Sequence, residues 1–142
     1  MPTKKTESTL SDVELAAMKD AVRERKAAKS GKVDGLADLQ AKVAEMVEPD
    51  RSMAARVHEL VMAAAPHLQP TTWYGMPAWA KDGKVICFFQ SASKFKVRYA
   101  TFGFQPDAAL DEGDMWANAF ALIRLTPETE RQISELVKRA AG

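Results

Sequence analysis

The chain has 142 residues, 46% of them hydrophobic and 27% charged, and its formal net charge is +1 at pH 7. This length is typical of one domain that folds without a disulfide or a structural metal, and the composition excludes wholesale disorder. Because the net charge is close to zero, binding to nucleic acid or to an anionic membrane through overall charge is not expected. The single cysteine excludes an internal disulfide and any zinc or iron–sulfur site built from several cysteines.

The N-terminal residues are not typical of a secretory signal, because Lys4 and Lys5 precede the polar stretch 6–12 instead of an apolar core. The longest apolar run, at 60–65, is far shorter than the roughly 20 residues of a membrane helix. The sequence therefore predicts a cytoplasmic protein without a membrane partner. Cys87 lies in an apolar run and is predicted to be a buried, unreactive thiol.

The first predicted helix begins at a capping box, with Ser11 at the cap and Glu14 three residues later. Its apolar residues form a narrow stripe of Leu15, Met18 and Val22. Such a stripe predicts packing on another surface, either in the same chain or in a second copy, so a homodimer is one interpretation.

A basic segment follows this helix, with five bases and one acid between positions 23 and 32. Gly31 and Gly35 interrupt it, and the pattern is typical of a helix end and a linker. We therefore divide the chain into an N-terminal helix with a basic linker, 1–34, and a folded α/β domain, 35–142.

Two further helices are predicted by apolar residues at helical spacing, one over 36–47 and one that begins at Pro49. The predicted core positions are Leu36, Leu39, Val43, Met46 and Val47 in the first, and Met53, Val57, Leu60, Val61 and Ala64 in the second.

From Thr71 onward, aromatic and β-branched residues and period-two alternation predict strands. The predicted strands are 71–74, 78–81, 85–90, 95–102 and 117–125. Asp82-Gly83 is a hairpin turn signal, and Thr126-Pro127 caps a last helix. This order predicts an α+β fold: a curved antiparallel sheet of about five strands with helices packed on one face.

The densest group of large side chains lies around a glycine and a proline in the first predicted strands. Its candidate ligand-binding residues are Trp73, Tyr74, Gly75, Met76, Pro77 and Trp79. Alternation predicts that Trp73 and Tyr74 lie on opposite faces of the sheet, so that one ring can serve the core while the other lines a cleft. The two interpretations are an apolar binding pocket and a corner of the core.

A basic strand is the second candidate site. Lys94, Lys96 and Arg98 alternate with apolar residues, so the predicted strand would present three cations on one face. Such a face could bind phosphate or nucleic acid, together with the bases at 23–32. The alternative is a solvated sheet face whose charges discourage edge pairing.

An acidic loop is the third candidate site. Asp107, Asp111, Glu112 and Asp114 fall within eight residues without a base among them. Hard cations prefer oxygen ligands of this kind, although the spacing matches no EF-hand loop. The alternative is an ordinary solvated loop.

The sequence contains no recognisable catalytic motif. Its glycines do not follow a dinucleotide or phosphate-loop spacing, and there is no G-x-S-x-G elbow. The only histidines are His58 and His67, and each is predicted to be a surface or packed side chain rather than a base. No catalytic residue is assigned, and an enzyme is the least favoured class.

Several runs in the second half of the chain carry a family resemblance. They are Trp73-Tyr74-Gly75-Met76-Pro77-Ala78, Gly83-Lys84-Val85, Phe88-Phe89, Lys94-Phe95-Lys96 and Met115-Trp116. Together they resemble the YdhG-like family of bacterial domains of unknown function, over residues 35–142. The resemblance implies a curved antiparallel sheet with helices on one side.

At least one member of that family is described as a frataxin-like iron chaperone. The resemblance therefore implies iron held by surface carboxylates and delivered to iron–sulfur or haem assembly proteins, with the acidic loop as the candidate site. Three non-enzymatic hypotheses follow: an iron carrier, a small-molecule or protein-binding module built on residues 73–79, and a nucleic-acid-binding protein.

Overall fold

The computed structural model describes residues 11–30 and 34–142, without the side chains of 27–30. The helices are α1 (Asp12–Ser30), α2 (Gly35–Ala44), α3 (Asp50–Ala64), α4 (Ala92–Phe95) and α5 (Pro127–Ala141). The strands are β1 (Gln69–Trp73), β2 (Met76–Lys81), β3 (Lys84–Gln90), β4 (Ala100–Phe104) and β5 (Ala119–Leu122). Positions 31–33 of the predicted basic linker lie outside the described residues.

The five strands form one antiparallel sheet in the order β1-β2-β3-β4-β5. Trp79, Cys87 and Phe89 lie on the sheet face that is buried in the main core. Helices α2, α3 and α5 complete that core with Leu39, Val43, Val57, Val61, Ile133 and Val137. The predicted α+β class is therefore confirmed.

The predicted helix starts are confirmed by their caps. Glu14 N donates to Ser11 Oγ at 3.1 Å, and Ser11 N donates to Glu14 Oε1 at 2.8 Å, which completes the capping box of α1. Thr126 accepts from Thr129 N at 3.1 Å at the start of α5, beside a proline in its first turn. These capping residues predict the helix starts correctly because each side chain accepts from an amide that the first helical turn leaves free.

Two hairpin turns shape the first three strands. The predicted Asp82-Gly83 turn joins β2 to β3, and a second turn, Tyr74-Gly75, joins β1 to β2. Both residues of the second turn have positive φ, 52° at Tyr74 and 77° at Gly75, as a type I′ turn requires. Strand β2 consequently begins two residues earlier than the predicted 78–81.

The apolar stripe predicted for the first helix stays about half exposed in the part of the chain that the structure describes. Leu15, Met18 and Val22 are 43%, 48% and 50% exposed. The buried positions of α1 are instead Ala17, Asp20 and Ala21, because this face packs against the β1–β2 hairpin. In the predicted helix 36–47, likewise, Leu36 and Val47 are exposed while Leu39 and Val43 enter the core, and Val47 lies beyond the end of α2 at Ala44.

The predicted strand 95–102 is wrong over its first half. Residues 92–95 form the short helix α4, and Lys96 follows it with φ 56°, in the left-handed region. The cause is a buried carboxylate: Asp50 Oδ2 accepts from Ser91 Oγ at 2.6 Å and from Ser93 N at 2.8 Å. These bonds come from a helix that is distant in sequence, so alternation along 94–98 could not reveal them.

The buried thiol was predicted correctly. Cys87 is fully buried in the core, and desolvation raises the pKa of its thiol, which keeps it protonated and unreactive. Within the described residues, no helix has the length and apolar character needed to cross a membrane.

Candidate functional site

The aromatic segment divides at the β1–β2 turn. Met76, Pro77 and Trp79 are buried in β2, where they serve the interior. Trp73 is half-buried and Tyr74 is 37% exposed, so these two rings remain accessible to a ligand.

The Trp73 and Tyr74 rings contact each other instead of lying on opposite sheet faces. Their centroids are 5.0 Å apart in an edge-to-face arrangement, and Trp73 also lies 5.1 Å from Phe88. The predicted alternation fails here because Tyr74 belongs to the turn and not to the strand. The contacts hold Trp73 in place, so its ring is a preformed wall.

A cleft of about 700 Å³ opens beside these rings, and we call it the ligand cleft. Strand β1 and Tyr74 form one wall, and α1 and the start of α2 form another. Its lining residues are Ala21, Glu24, Arg25, Gly35, Asp38, Gln69, Pro70, Thr71, Thr72, Trp73, Tyr74, Ala80, Gly83 and Val85. The lining combines aromatic surface with hydroxyl, amide and charged groups, as small-molecule sites do.

Helix α1 is attached to the β1–β2 turn through Glu24. Its two carboxylate oxygens accept hydrogen bonds from two consecutive amides: Tyr74 N at 3.0 Å and Gly75 N at 3.1 Å. We call these two donors the amide pair. Positive φ at both residues turns successive N–H groups toward one side, which forms an anion-binding concavity.

Asp20 makes the second polar attachment of α1. Its carboxylate is buried, accepts from Lys42 Nζ at 3.3 Å and pairs with Arg23. The same carboxylate lies against Gly75, where a Cβ would overlap Oδ2 and lie 3.1 Å from Cγ. A glycine is needed at this position both for its φ of 77° and for the approach of Asp20.

A smaller cleft of about 360 Å³ lies on another side of Gly75, and we call it the Lys42 cleft. It is lined by the end of α2, the turn and the start of α4: Lys42, Glu45, Met46, Val47, Gly75, Ser91, Ser93 and Lys94. The charged residues of this lining are Lys42, Lys94 and Glu45, and Lys42 shares the cleft with Gly75 of the amide pair.

The two histidines lie outside both clefts. His58 Nδ1 accepts a hydrogen bond from Trp79 Nε1 at 3.1 Å, and desolvation lowers the pKa of His58 despite the nearby Glu59. The neutral ring is therefore a packing partner of Trp79. His67 Nε2 lies 3.5 Å from the Ala141 carbonyl oxygen at the end of α5. The ligand cleft and the Lys42 cleft contain neither ring in their linings.

The lowered pKa of His58 predicts a pH dependence of stability. The unfolded chain, with a histidine pKa of about 6.5, binds this proton before the folded protein does as the pH falls. We expect full stability above about pH 6.5 and a decline as the pH falls toward the folded-state pKa. Urea midpoints measured from pH 7.5 to pH 5 check this. His58→Gln, which can still accept from Trp79, should flatten the slope, and His67→Gln should keep it. An equal slope in all three proteins would contradict the assignment.

The acidic loop does not gather its carboxylates. Asp107, Asp111, Glu112 and Asp114 are all exposed. Across residues 11–30 and 34–142, no group of three or more histidine, cysteine or acidic side chains is placed to hold a metal ion. The iron hypothesis therefore receives no support from the geometry of this loop.

The basic residues do not form the predicted row. Lys94 lines the Lys42 cleft, Lys96 is the cap that follows α4, and the Arg98 guanidinium lies 5.2 Å from the Tyr99 ring. They occupy a helix, a left-handed cap and an irregular segment instead of one strand, so the nucleic-acid hypothesis loses its spacing argument.

Sequence reasoning missed the contribution of α1 to the site. Asp20 and Glu24 are four residues apart, which places both on one face of a helix, and this spacing was the available signal. It is weak by itself, because such acids are usually solvated. Only docking of α1 on the turn gives them partners.

Comparisons with family models, with curated proteins and with solved structures found no match to this chain.

Proposed function

We propose that the protein is a non-enzymatic module that binds a small organic molecule in the ligand cleft. The observation that supports this proposal is the position of the exposed Tyr74 and the half-buried Trp73 beside a cleft of about 700 Å³. A flat apolar part of the ligand stacks on these rings, because aromatic faces offer a large contact area with little side-chain freedom to lose.

Polar groups around the rings would orient the ligand. Thr71, Thr72 and Gln69 lie along one wall, and the exposed Arg25 and Asp38 provide charges of both signs at the rim. This mixture favours a compact molecule with an aromatic or alicyclic body and a few polar substituents. It does not favour a purely apolar chain, which would leave these groups without partners.

Membership of the YdhG-like family and a cytoplasmic location stay part of this proposal, on the sequence features described above. An iron-carrier function, with iron–sulfur or haem assembly proteins as partners, is not the function we favour. Among the described residues, the carboxylates of the acidic loop are not brought together to hold a metal ion, whereas the ligand cleft is preformed.

A neutral fluorescent probe, N-phenyl-1-naphthylamine, tests the proposed site. We expect saturable binding to the native protein and about fivefold weaker binding to Tyr74→Asn, since one aromatic contact contributes about 1 kcal/mol. Asparagine is suitable because it tolerates positive φ in a type I′ turn. The measurement is a fluorescence titration under conditions where circular dichroism shows both proteins folded.

Trp116→Ala is the matched control, because Trp116 is also an exposed ring, 40% accessible, but does not line the cleft. It should leave the dissociation constant of the probe unchanged. If probe binding did not saturate, or if Tyr74→Asn and Trp116→Ala weakened it equally, the proposed site would be wrong.

A further inference from the structure

We propose that the amide pair of Tyr74 and Gly75, with Lys42 beside it, recognises an oxyanion group of the ligand, and that Glu24 of α1 occupies this receptor as an internal substitute. The inference rests on the proposed function, because the ligand's body would lie in the adjoining ligand cleft, against the wall formed by β1 and Tyr74, which stays in place when α1 is displaced. It adds the ligand's charge and a role for α1 as a displaceable strap.

The receptor is already seen holding an oxyanion. Each oxygen of the Glu24 carboxylate takes one amide hydrogen, at 3.0 and 3.1 Å. A carboxylate from another molecule could make the same two bonds without any rearrangement of the turn, since both donors belong to the backbone. Charge-assisted bonds to two fixed donors favour a planar or tetrahedral oxyanion over a neutral carbonyl.

The surrounding charge also favours an anion. Lys42 bonds to Asp20 next to Gly75, and its side chain is only 19% exposed. If α1 leaves, Asp20 and Glu24 leave together, and Lys42 then faces the turn with Glu45 at 3.6 Å as its remaining acidic neighbour. The vacated site contains two amide donors and an ammonium group that keeps one acidic neighbour, and this arrangement favours a negative ligand.

Displacing α1 would break few apolar contacts. Its buried apolar side chains include the small Ala17 and Ala21, while the larger Leu15, Met18 and Val22 remain 43–50% exposed. Attachment therefore depends largely on the two carboxylates. A ligand that supplies its own oxyanion restores the bonds to the amide pair that Glu24 gives up.

The ligand must nevertheless compete with Glu24 for the amide pair. Because Glu24 is tethered, its effective concentration there is of millimolar order. A simple carboxylate such as acetate has no contacts with which to do so. Stacking on Trp73 and Tyr74 provides the additional affinity. The ligand class is therefore a small organic anion with a flat apolar body, in which the charged group lies close to the ring system.

Two probes that differ by one sulfonate test the inference. N-phenyl-1-naphthylamine is neutral, and 8-anilinonaphthalene-1-sulfonate is the same molecule with an oxyanion. The readout is the ratio of their dissociation constants, neutral over anionic, which largely cancels contacts of the shared ring body. In the native protein Glu24 holds the amide pair, so we expect a ratio of about 1 to 2. In Glu24→Gln we expect the ratio to rise about five- to tenfold.

The matched control is Glu112→Gln, which makes the same chemical change on an exposed acid of the loop before β5. It should leave the ratio as in the native protein. The double variant Glu24→Gln/Lys42→Gln should lose most of the increase, because the cation beside the amide pair is gone. An unchanged ratio in Glu24→Gln, or an equal rise in Glu112→Gln, would overturn the inference.

The two proposals fail differently in this experiment. If the neutral probe does not bind at all, the ligand cleft itself is wrong. If the neutral probe binds but the anionic one gains nothing from Glu24→Gln, only the oxyanion receptor is wrong.

The strap role has its own measurement, hydrogen exchange along α1. Gly75→Ala would push out the Asp20 carboxylate, and we expect faster exchange over residues 12–26. Gly83→Ala is the matched control. Gly83 has a φ of 80°, close to the 77° of Gly75, so alanine has a similar backbone cost at both positions, but a Cβ at Gly83 would meet nothing within 4 Å. This variant should leave α1 protected. Equal protection of α1 in both variants would contradict the attachment of α1 through Asp20.

Discussion

Replacing Asp50 with alanine is expected to lower the free energy of unfolding by about 3 kcal/mol. Asp50 is only 2% exposed, and its Oδ2 accepts from the Ser91 hydroxyl and the Ser93 amide. Alanine would leave the buried Ser91 hydroxyl and the partly buried Ser93 amide without their acceptor. The loss should be local as well as global, because these bonds hold the chain at the start of α4.

Glu48→Ala provides the matched control for this prediction. Glu48 also accepts from a serine, through Ser52 N at 3.0 Å and Ser52 Oγ at 2.9 Å, but it is an exposed side chain. Because water can replace its bonds, we expect a much smaller loss than at Asp50. Urea denaturation gives both values, and hydrogen exchange over 91–97 reports the opening of α4. Equal losses in the two variants would show that burial of Asp50 is not the cause.

Replacing Gly35 with alanine is expected to lower the free energy of unfolding by about 2 kcal/mol, against the usual preference of helices for alanine. The backbone of α2 approaches β1 so closely that a Cβ at this position would overlap the Pro70 carbonyl oxygen and lie 3.0 Å from its carbon. Backbone atoms of a paired strand cannot rotate away as a side chain can. Overpacking of this kind costs about 1–3 kcal/mol, and the gain in helix propensity offsets about 1 kcal/mol at most.

The reverse change at an exposed site of the same helix calibrates that offset. Ala41→Gly lies on the outer side of α2, and we expect it to destabilise the protein by about 1 kcal/mol through propensity alone. Thermal or urea unfolding of both variants gives the comparison. If Gly35→Ala raised stability by the amount that Ala41→Gly lowers it, the close contact of α2 with β1 would be refuted.

These two positions also determine the walls of the clefts. Gly35 lines the ligand cleft, and the Ser91 and Ser93 partners of Asp50 line the Lys42 cleft. Their expected effects on folding are therefore effects on the binding surfaces too. Probe titrations on Gly35→Ala should show weaker binding of the neutral probe even where the protein remains folded, because the second wall of the ligand cleft moves.

Local chemistry in the sequence was sufficient for most of the fold. Caps at Ser11 and Thr126, the Asp82-Gly83 turn and the apolar stripe of α3 act within a few residues, and each is found as predicted. The antiparallel pairing of the first three strands also follows from local signals, because two-residue turns connect β1 to β2 and β2 to β3. The α+β class could therefore be derived without a structure.

The site depended on contacts that no local pattern contains. Asp50 converts the expected strand near Lys94 into a helical turn, because a buried carboxylate needs donors and Ser91 and Ser93 provide them. Glu24 and Asp20 turn the polar face of α1 toward the β1–β2 turn, although its larger apolar residues would favour the opposite orientation.

By itself, the sequence of this protein determined its α+β class, the starts of α1 and α5, one hairpin turn and its buried thiol, and it indicated the segment from Trp73 to Trp79 as a candidate site. Tertiary structure alone decided which of those aromatic rings stay accessible, which face of α1 docks, and where the basic residues lie. The physical reason is the range of the forces involved. Caps and turns satisfy amides a few residues away, whereas a buried carboxylate must find its donors wherever the fold brings them.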